Sequence, residues 1–99
     1  MMIRIHLPAY IQRLAGIEHE VQLDMSDKFS LQDLFDWLEN NYPMLKGTIR
    51  ENGTAELRPY LRLFLGDEDL SDFPLKEVLP VKLIADGKPL RIVAAISGG

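Results

Sequence analysis

Leu90-Arg91-Ile92-Val93-Ala94-Ala95-Ile96-Ser97-Gly98-Gly99 closes the 99-residue chain and gives the clearest clue to its architecture. From Leu90 to Ile96 the residues alternate, with Leu90, Ile92, Ala94 and Ile96 on one face and Arg91, Val93 and Ala95 on the other. A period of two marks a β-strand with one buried side. This strand follows a strong turn signal, Asp86-Gly87, and delivers two glycines to the end of the chain with nothing after them to bury the final carboxylate.

Working back from that strand, Leu70 to Ala85 is broken by Pro74 and Pro80, and Val81 to Ala85 fits either a short strand or a helical turn. Gly66-Asp67-Glu68-Asp69 reads as a polar turn. Before it, Arg58 to Leu65 reads as a strand that sends Leu61, Leu63 and Leu65 one way and Tyr60, Arg62 and Phe64 the other. At the opposite end of the chain, Met2 to Leu7 puts Ile3, Ile5 and Leu7 on one face and Met2, Arg4 and His6 on the other, and Pro8 ends its pairing. A connecting stretch, Ala9 to Gly16, leads to a second alternation: Ile17, His19, Val21 and Leu23 against Glu18, Glu20, Gln22 and Asp24. These two strands are expected to form an antiparallel hairpin with a long turn.

Between the halves the period changes. Ser30 precedes Leu31, Leu34, Phe35 and Leu38, an apolar stripe at helical spacing. Ser30 is the expected N-cap, Asp33 suits the positive end of the helix dipole, and Asn40-Asn41 followed by Pro43 stops the helix. One amphipathic helix laid across a sheet makes a core. The fold class is α+β: a mixed sheet with one main helix packed on one face.

Composition narrows the function. The length suits one domain, residues 1–99. Eleven Lys and Arg against fifteen Asp and Glu give a net charge of −4, which disfavours a nucleic-acid partner because neutralising phosphates takes a surplus of basic residues. The absence of cysteine excludes disulfides, a thiolate zinc site and a cysteine nucleophile. No apolar run approaches the roughly 18 residues of a membrane span, and the N-terminus lacks the pattern of a signal peptide. A cytoplasmic protein with no membrane partner is expected. Asp67-Glu68-Asp69 with Asp72 lacks the glycine and distal glutamate of a calcium loop, so it reads as a solvated acidic turn that could steer a basic partner. His6 and His19 stand on separate strands without zinc spacing, and no metal site is expected. Trp37 and Tyr42 are expected to cover the flank of the core.

The sequence resembles the ThiS/MoaD family of ubiquitin-like sulfur carriers across nearly its full length. The resemblance rests on Arg13-Leu14-Ala15-Gly16, on the helix opened by Ser30-Leu31 and closed at Tyr42-Pro43, on Arg58-Pro59-Tyr60-Leu61, and above all on Asp86-Gly87 with the Leu90–Gly99 block. Relatives often carry proline where Ala94-Ala95 stand and alanine where Ser97 stands. The resemblance implies a β-grasp (ubiquitin-like) roll whose first and last strands are central neighbours. It implies a flexible tail, residues 96–99, in which Gly99 is the modified residue and Ser97 and Gly98 thread the partner's channel.

The activity implied is that of a carrier, without catalytic residues or bound cofactor of its own. A ubiquitin-activating-type adenylyltransferase spends ATP on the Gly99 carboxylate. A sulfur donor, from a sulfurtransferase or cysteine desulfurase, converts it to a thiocarboxylate. A downstream synthase of molybdopterin, thiamin or cysteine type then takes the sulfur, and this chain could be that synthase's small subunit. If strand pairing follows the resemblance, Met2, Arg4, Tyr60, Arg62, Phe64, Arg91 and Val93 gather on the outer sheet face. Tyr60, Arg62, Phe64, Arg91 and Val93 are then the candidate docking residues, against the plainer alternative of a solvated face. A ubiquitin-like protein modifier conjugated through Gly99, a β-grasp interaction module that is not conjugated, and an enzyme built on the acidic turn are the other readings.

Overall fold

The structure is a computed structural model that describes residues 1–84 and 87–95, with the Val81 side chain left undescribed. Its strands are β1 (Met2–His6), β2 (Val21–Asp24), β3 (Leu61–Leu65), β4 (Glu68–Asp69) and β5 (Leu90–Ala94). Its α-helices are α1 (Ala9–Ala15), α2 (Leu31–Asn41) and α3 (Val81–Ile84), and a 3-10 turn spans Pro43–Leu45. The strands form a mixed sheet in the order β2-β1-β5-β3-β4. β1 and β5 run parallel at the centre, while the pairs β1–β2, β5–β3 and β3–β4 are antiparallel. First and last strands are therefore neighbours, as the resemblance implies.

Alternation fixes which side chains face inward. Ile3, Ile5, Val21, Leu23, Leu61, Leu63, Leu65, Leu90 and Ile92 are all buried beneath the sheet. Against them α2 lays Leu31, Leu34, Phe35 and Leu38, which the helical period brings to one face. Ser30 and Asp33 form a capping box: the Asp33 N–H donates to the Ser30 hydroxyl at 3.1 Å, and the Ser30 N–H donates to the Asp33 carboxylate at 3.0 Å. Asp33 thus caps backbone as well as complementing the dipole. Replacing Ser30 by Ala is expected to cost about 1 kcal/mol, read as a lower urea midpoint with an unchanged m-value.

Four sequence expectations are corrected. Ala9 to Gly16 is a helix rather than a plain connection. Pro8 C=O accepts from Ile11 and Gln12, and the helix ends on Gly16 in the left-handed region at φ +69°. Seven residues are too few turns for a period to be read, and only Ile11 is buried, so packing holds this helix rather than propensity. β2 begins at Val21 instead of Ile17. The Ile17 N–H donates to Gln12 C=O, and the Gln12 side-chain amide donates to His19 C=O, so α1 takes the groups a longer strand would need.

β3 begins at Leu61 instead of Arg58. The Arg58 C=O folds back to accept from the Leu61 N–H, while its guanidinium donates to Gly47 C=O. The polar turn contracts to Gly66-Asp67, because Glu68 and Asp69 pair back onto Leu65 and Phe64. Gly66 has φ +60° at the first central position of this two-residue loop, where a type II′ turn requires glycine.

The stretch from Leu70 wraps the start of α2. Leu79 N–H donates to Phe29 C=O, Gln32 N–H donates to Leu75 C=O, and Phe29, Leu70 and Leu79 join the core. Of the two readings for Val81 to Ala85, Val81–Ile84 is a helical turn, and Ala85 lies outside the described residues. Gly87 has φ +71°, while Asp86, its partner in the expected turn, also lies outside them. Trp37 and Tyr42 meet edge to face at 6.4 Å on the flank of the core, as expected. No helix among the described residues is long and apolar enough to cross a membrane.

Candidate functional site

The site is built around the end of β5. This strand is paired on both sides, so its direction is set by the middle of the sheet. Its ladder with β3 runs Leu65↔Leu90, Phe64↔Arg91, Leu63↔Ile92, Arg62↔Val93 and Leu61↔Ala94. One further bond follows, from Ala95 N–H to Tyr60 C=O at 2.7 Å. Among the described residues, this is the last backbone bond that β5 and its continuation make to the β3 side. Ser97, Gly98 and Gly99, the three tail residues singled out by sequence, lie outside the described residues, as does Ile96. The Tyr10 hydroxyl is buried without a hydrogen-bond partner, and burial first, then the nearby Tyr60, pushes its pKa up.

The five candidate docking residues do share the outer face. Cross-strand register places Arg62 opposite Val93 and Phe64 opposite Arg91, with Tyr60 beyond them toward the exit of β5. The Arg91 guanidinium lies 5.6 Å from the centre of the Phe64 ring, in cation–π range, and donates to Gly66 C=O at 3.3 Å. Tyr60 and Val93 are exposed, and so is Met2 on the far side of β1.

Sequence reading missed that two of the face's arginines are already paired with carboxylates. Arg62 donates to Asp69 at 2.6 Å, and Arg4 donates to Glu20 at 3.3 Å and to Gly87 C=O at 2.6 Å. Glu20 also meets His6 Nε2 at 2.9 Å and accepts from Gln22 at 2.9 Å. Those hydrogen bonds, His6 first, hold the Glu20 carboxyl below its usual range. The missed signal was Gly66-Asp67: once a two-residue loop is assumed, Asp69 falls opposite Phe64, within reach of Arg62 on the same face.

Asp69 belongs to the acidic turn of the sequence reading. It accepts from the Ser71 backbone N–H at 2.9 Å and from Arg62, and hydrogen bonding, from the Ser71 side chain first, then Arg62, then the Ser71 backbone, lowers its pKa to about 2. A carboxyl whose folded pKa is depressed adds stability that is present above its unfolded pKa of 3.8 and is lost as the pH falls toward about 2. The expected result is an Asp69 side-chain NMR titration with its midpoint at about 2, moving back toward 3.8 in Arg62→Ala and Ser71→Ala.

A buried cation sits on the helix side, away from this face. Arg50 donates to Asp36 at 2.7 Å and Glu39 at 2.8 Å and lies 5.8 Å from the centre of the Phe35 ring. It ties the loop after the 3-10 turn to α2.

No protein-family model matches the chain, and no curated protein sequence matches it either. Solved structures do. SAMP1, the small archaeal modifier protein 1 of Haloferax volcanii, superposes with a TM-score of 0.73 at 21% identity over 100% of both chains. A chain of the BexX/CysO complex of Amycolatopsis orientalis gives 0.71 at 19% identity over 98% of this chain and 99% of that one. Urm1 of Trypanosoma brucei gives 0.68 at 20% identity over 99% and 95%. Strand order, central parallel pair and end-to-end superposition agree: this chain has the ubiquitin-like β-grasp fold seen in SAMP1, the BexX/CysO complex and Urm1.

Proposed function

We propose that this chain is a sulfur carrier whose working group is the Gly99 carboxylate. The observation that carries the reading is the course of β5: the doubly paired central strand is held as far as the Ala95–Tyr60 bond among the described residues, and the sequence continues for four residues to Gly98-Gly99. Such an arrangement suits a carboxylate presented to a partner by a rigid body. A terminal carboxylate, with a pKa near 3.5, is ionised and a poor electrophile at neutral pH. Adenylation by a partner joins it to the α-phosphate of ATP and releases pyrophosphate. A sulfide or persulfide sulfur then displaces AMP, leaving a thiocarboxylate, and a persulfide donor needs a thiol to reduce it. Glycine, without a side chain, suits passage through a narrow channel.

Intact-mass analysis of the chain from sulfur-replete cells tests this. The expected result is a fraction heavier by the exchange of one terminal oxygen for sulfur, mapped to Gly99. A tail that stays an ordinary acid with its cognate adenylating enzyme, ATP and a sulfide donor refutes it.

A second reading is favoured by the description of SAMP1 as a modifier protein: the same acyl-adenylate could pass to lysines of target proteins. Higher-mass conjugates that disappear on deleting Gly99 would support that reading. Which synthase receives the sulfur, in the molybdopterin, thiamin or cysteine type of route, is decided by surface contacts that the tail itself does not encode. The BexX/CysO complex supports the expectation that such a partner is a protein seated against the domain.

A further inference from the structure

Glu51-Asn52-Gly53-Thr54, in the loop between the 3-10 turn and β3, forms a turn that neither the outer face nor the tail involves. The Thr54 N–H donates to Glu51 C=O at 3.1 Å, and the Thr54 hydroxyl donates to the same oxygen at 3.1 Å. Gly53 has φ +85°, while no residue other than glycine has a positive φ among the described residues. Negative then positive φ at the two central positions, with the closing bond made, is a type II turn. Asn52 and Gly53 are exposed, and the side of Gly53 where a Cβ would stand is open, with nothing within 4 Å.

Two groups of this turn are unengaged. The Gly53 N–H donates to no acceptor among the described residues, because the turn uses only the donor of its fourth position. The Asn52 amide lies over Gly47, its nitrogen 3.0 Å from where a Gly47 Cβ would stand, and it makes no hydrogen bond among the described residues. The other asparagines, Asn40 and Asn41, differ on both counts. Asn40 is followed by a residue still inside α2, and Asn41 by Tyr42, whose N–H donates to Leu38 C=O at 2.8 Å. The Asn41 amide itself donates to Trp37 C=O at 2.9 Å.

We propose that Asn52 is a site of covalent self-modification, where the Gly53 backbone nitrogen attacks the Asn52 side-chain carbon Cγ and turns the asparagine into aspartate and isoaspartate. The nitrogen first gives its proton to hydroxide or a buffer base. Its electron pair then forms a bond to Cγ, the bond from Cγ to Nδ2 breaks, and Nδ2 takes up a proton and leaves as ammonia. The product is a five-membered succinimide. Water opens this ring at either carbonyl. One opening restores the original main chain with an aspartate side chain, and the other routes the main chain through Cβ as isoaspartate. One water enters and one ammonia leaves, with no oxidant, reductant or enzyme.

The nitrogen reaches Cγ only when the Asn52–Gly53 peptide turns over. Gly53 permits this, since a residue without Cβ takes either sign of φ. Only the two bonds from Thr54 to one carbonyl oppose it, and such exposed turns open at the lowest cost in a fold. At Asn40 and Asn41 the end of α2 has to open first. The new carboxylate stands beside Glu39 and Glu51, which line a small hollow with Asn52, Lys46 and Arg50. This modification does not depend on the carrier reading.

The test is storage of the purified full chain, folded in buffer and unfolded in urea, followed by tryptic mapping over time. Peptide 51–62 carries Asn52, because Pro59 blocks cleavage after Arg58, and peptide 29–46 carries Asn40 and Asn41. In the folded chain, peptide 51–62 is expected to split into aspartyl and isoaspartyl forms, the second labelled by an isoaspartate-specific methyltransferase. Its rate is expected to fall within about ten-fold of that in urea, the weight of one net hydrogen bond. It is expected to rise about ten-fold per pH unit near neutrality, since the attacking nitrogen has to be deprotonated. Peptide 29–46 is expected to convert at least about a hundred-fold more slowly in the folded chain. Asn52→Gln, whose ring would have six members, is expected to stay unconverted over the same period.

A folded chain whose peptide 51–62 stays intact while it converts in urea overturns the proposal, because the turn then shields Asn52. Equal conversion of peptide 29–46 in the folded chain overturns it too, because the turn then confers nothing. Conversion without isoaspartate, or at a rate that ignores pH, overturns the attack by Gly53 in favour of direct hydrolysis of the side chain.

Discussion

Deleting Gly99 is expected to lower kcat/KM for adenylation by at least about a thousand-fold while leaving the melting midpoint of the domain unchanged. The shortened chain still ends in a glycine carboxylate, so chemistry alone does not predict the loss. Geometry does. β5 is fixed by ladders on both sides and by the Ala95–Tyr60 bond, so the domain cannot slide forward to compensate. Removing one residue draws the carboxylate back by about 3.3–3.6 Å, and misplacing a reacting group by 1 Å can already cost about a hundred-fold. Stability is expected to be untouched because the deletion lies four residues past Ala95, whose bond to Tyr60 is the last of the ladder among the described residues. Pyrophosphate exchange and a thermal melt on the same sample check both halves. Unchanged kcat/KM refutes the carrier reading, and a lowered midpoint shows that the tail helps to hold the fold.

Phe35→Ala is expected to give the largest loss of stability, about 3–5 kcal/mol. Phe35 is 1% exposed at the centre of the α2 stripe, and its ring also faces the Arg50 guanidinium. The substitution opens a cavity against the sheet and withdraws the surface on which Arg50 rests. Domains of this size have only about 5–15 kcal/mol of stability, so the variant is expected to unfold at a far lower urea concentration, with its m-value preserved if cooperativity survives. A loss under about 1 kcal/mol would mean that the α2–sheet contact is not the principal core.

Both predictions draw on features of unequal visibility in the sequence. The strands at the two ends announced themselves because one face is buried: Ile3 and Ile5, and Leu90 and Ile92, recur at a period of two whatever their partners are. The helix was equally plain, since Ser30, Leu31, Leu34, Phe35 and Leu38 state its cap and its stripe in local order. By contrast α1 shows one fully buried side chain in seven residues, and Ile17 to Glu20 kept a strand-like alternation although their backbone groups were claimed by Gln12. Local pattern reports which side of a segment is apolar. It does not report which donor reaches a carbonyl first.

The outer face followed the same division. That Tyr60, Arg62, Phe64, Arg91 and Val93 share a surface follows from alternation once β3 and β5 are paired. The partners of its cations did not follow, because Asp69 and Glu20 reach Arg62 and Arg4 only through hairpin register and loop path.

The alternating strands, the capped amphipathic helix and the Gly98-Gly99 pair are legible residue by residue, because each is a property of neighbouring positions. It took the folded chain to bring β1 and β5 side by side in parallel at the centre, to set the Ala95 N–H on Tyr60 C=O, and to set the Gln32 N–H on Leu75 C=O. Those pairings join residues 35 to 85 positions apart, and what selects them is the burial of one shared core together with the saturation of backbone hydrogen bonds.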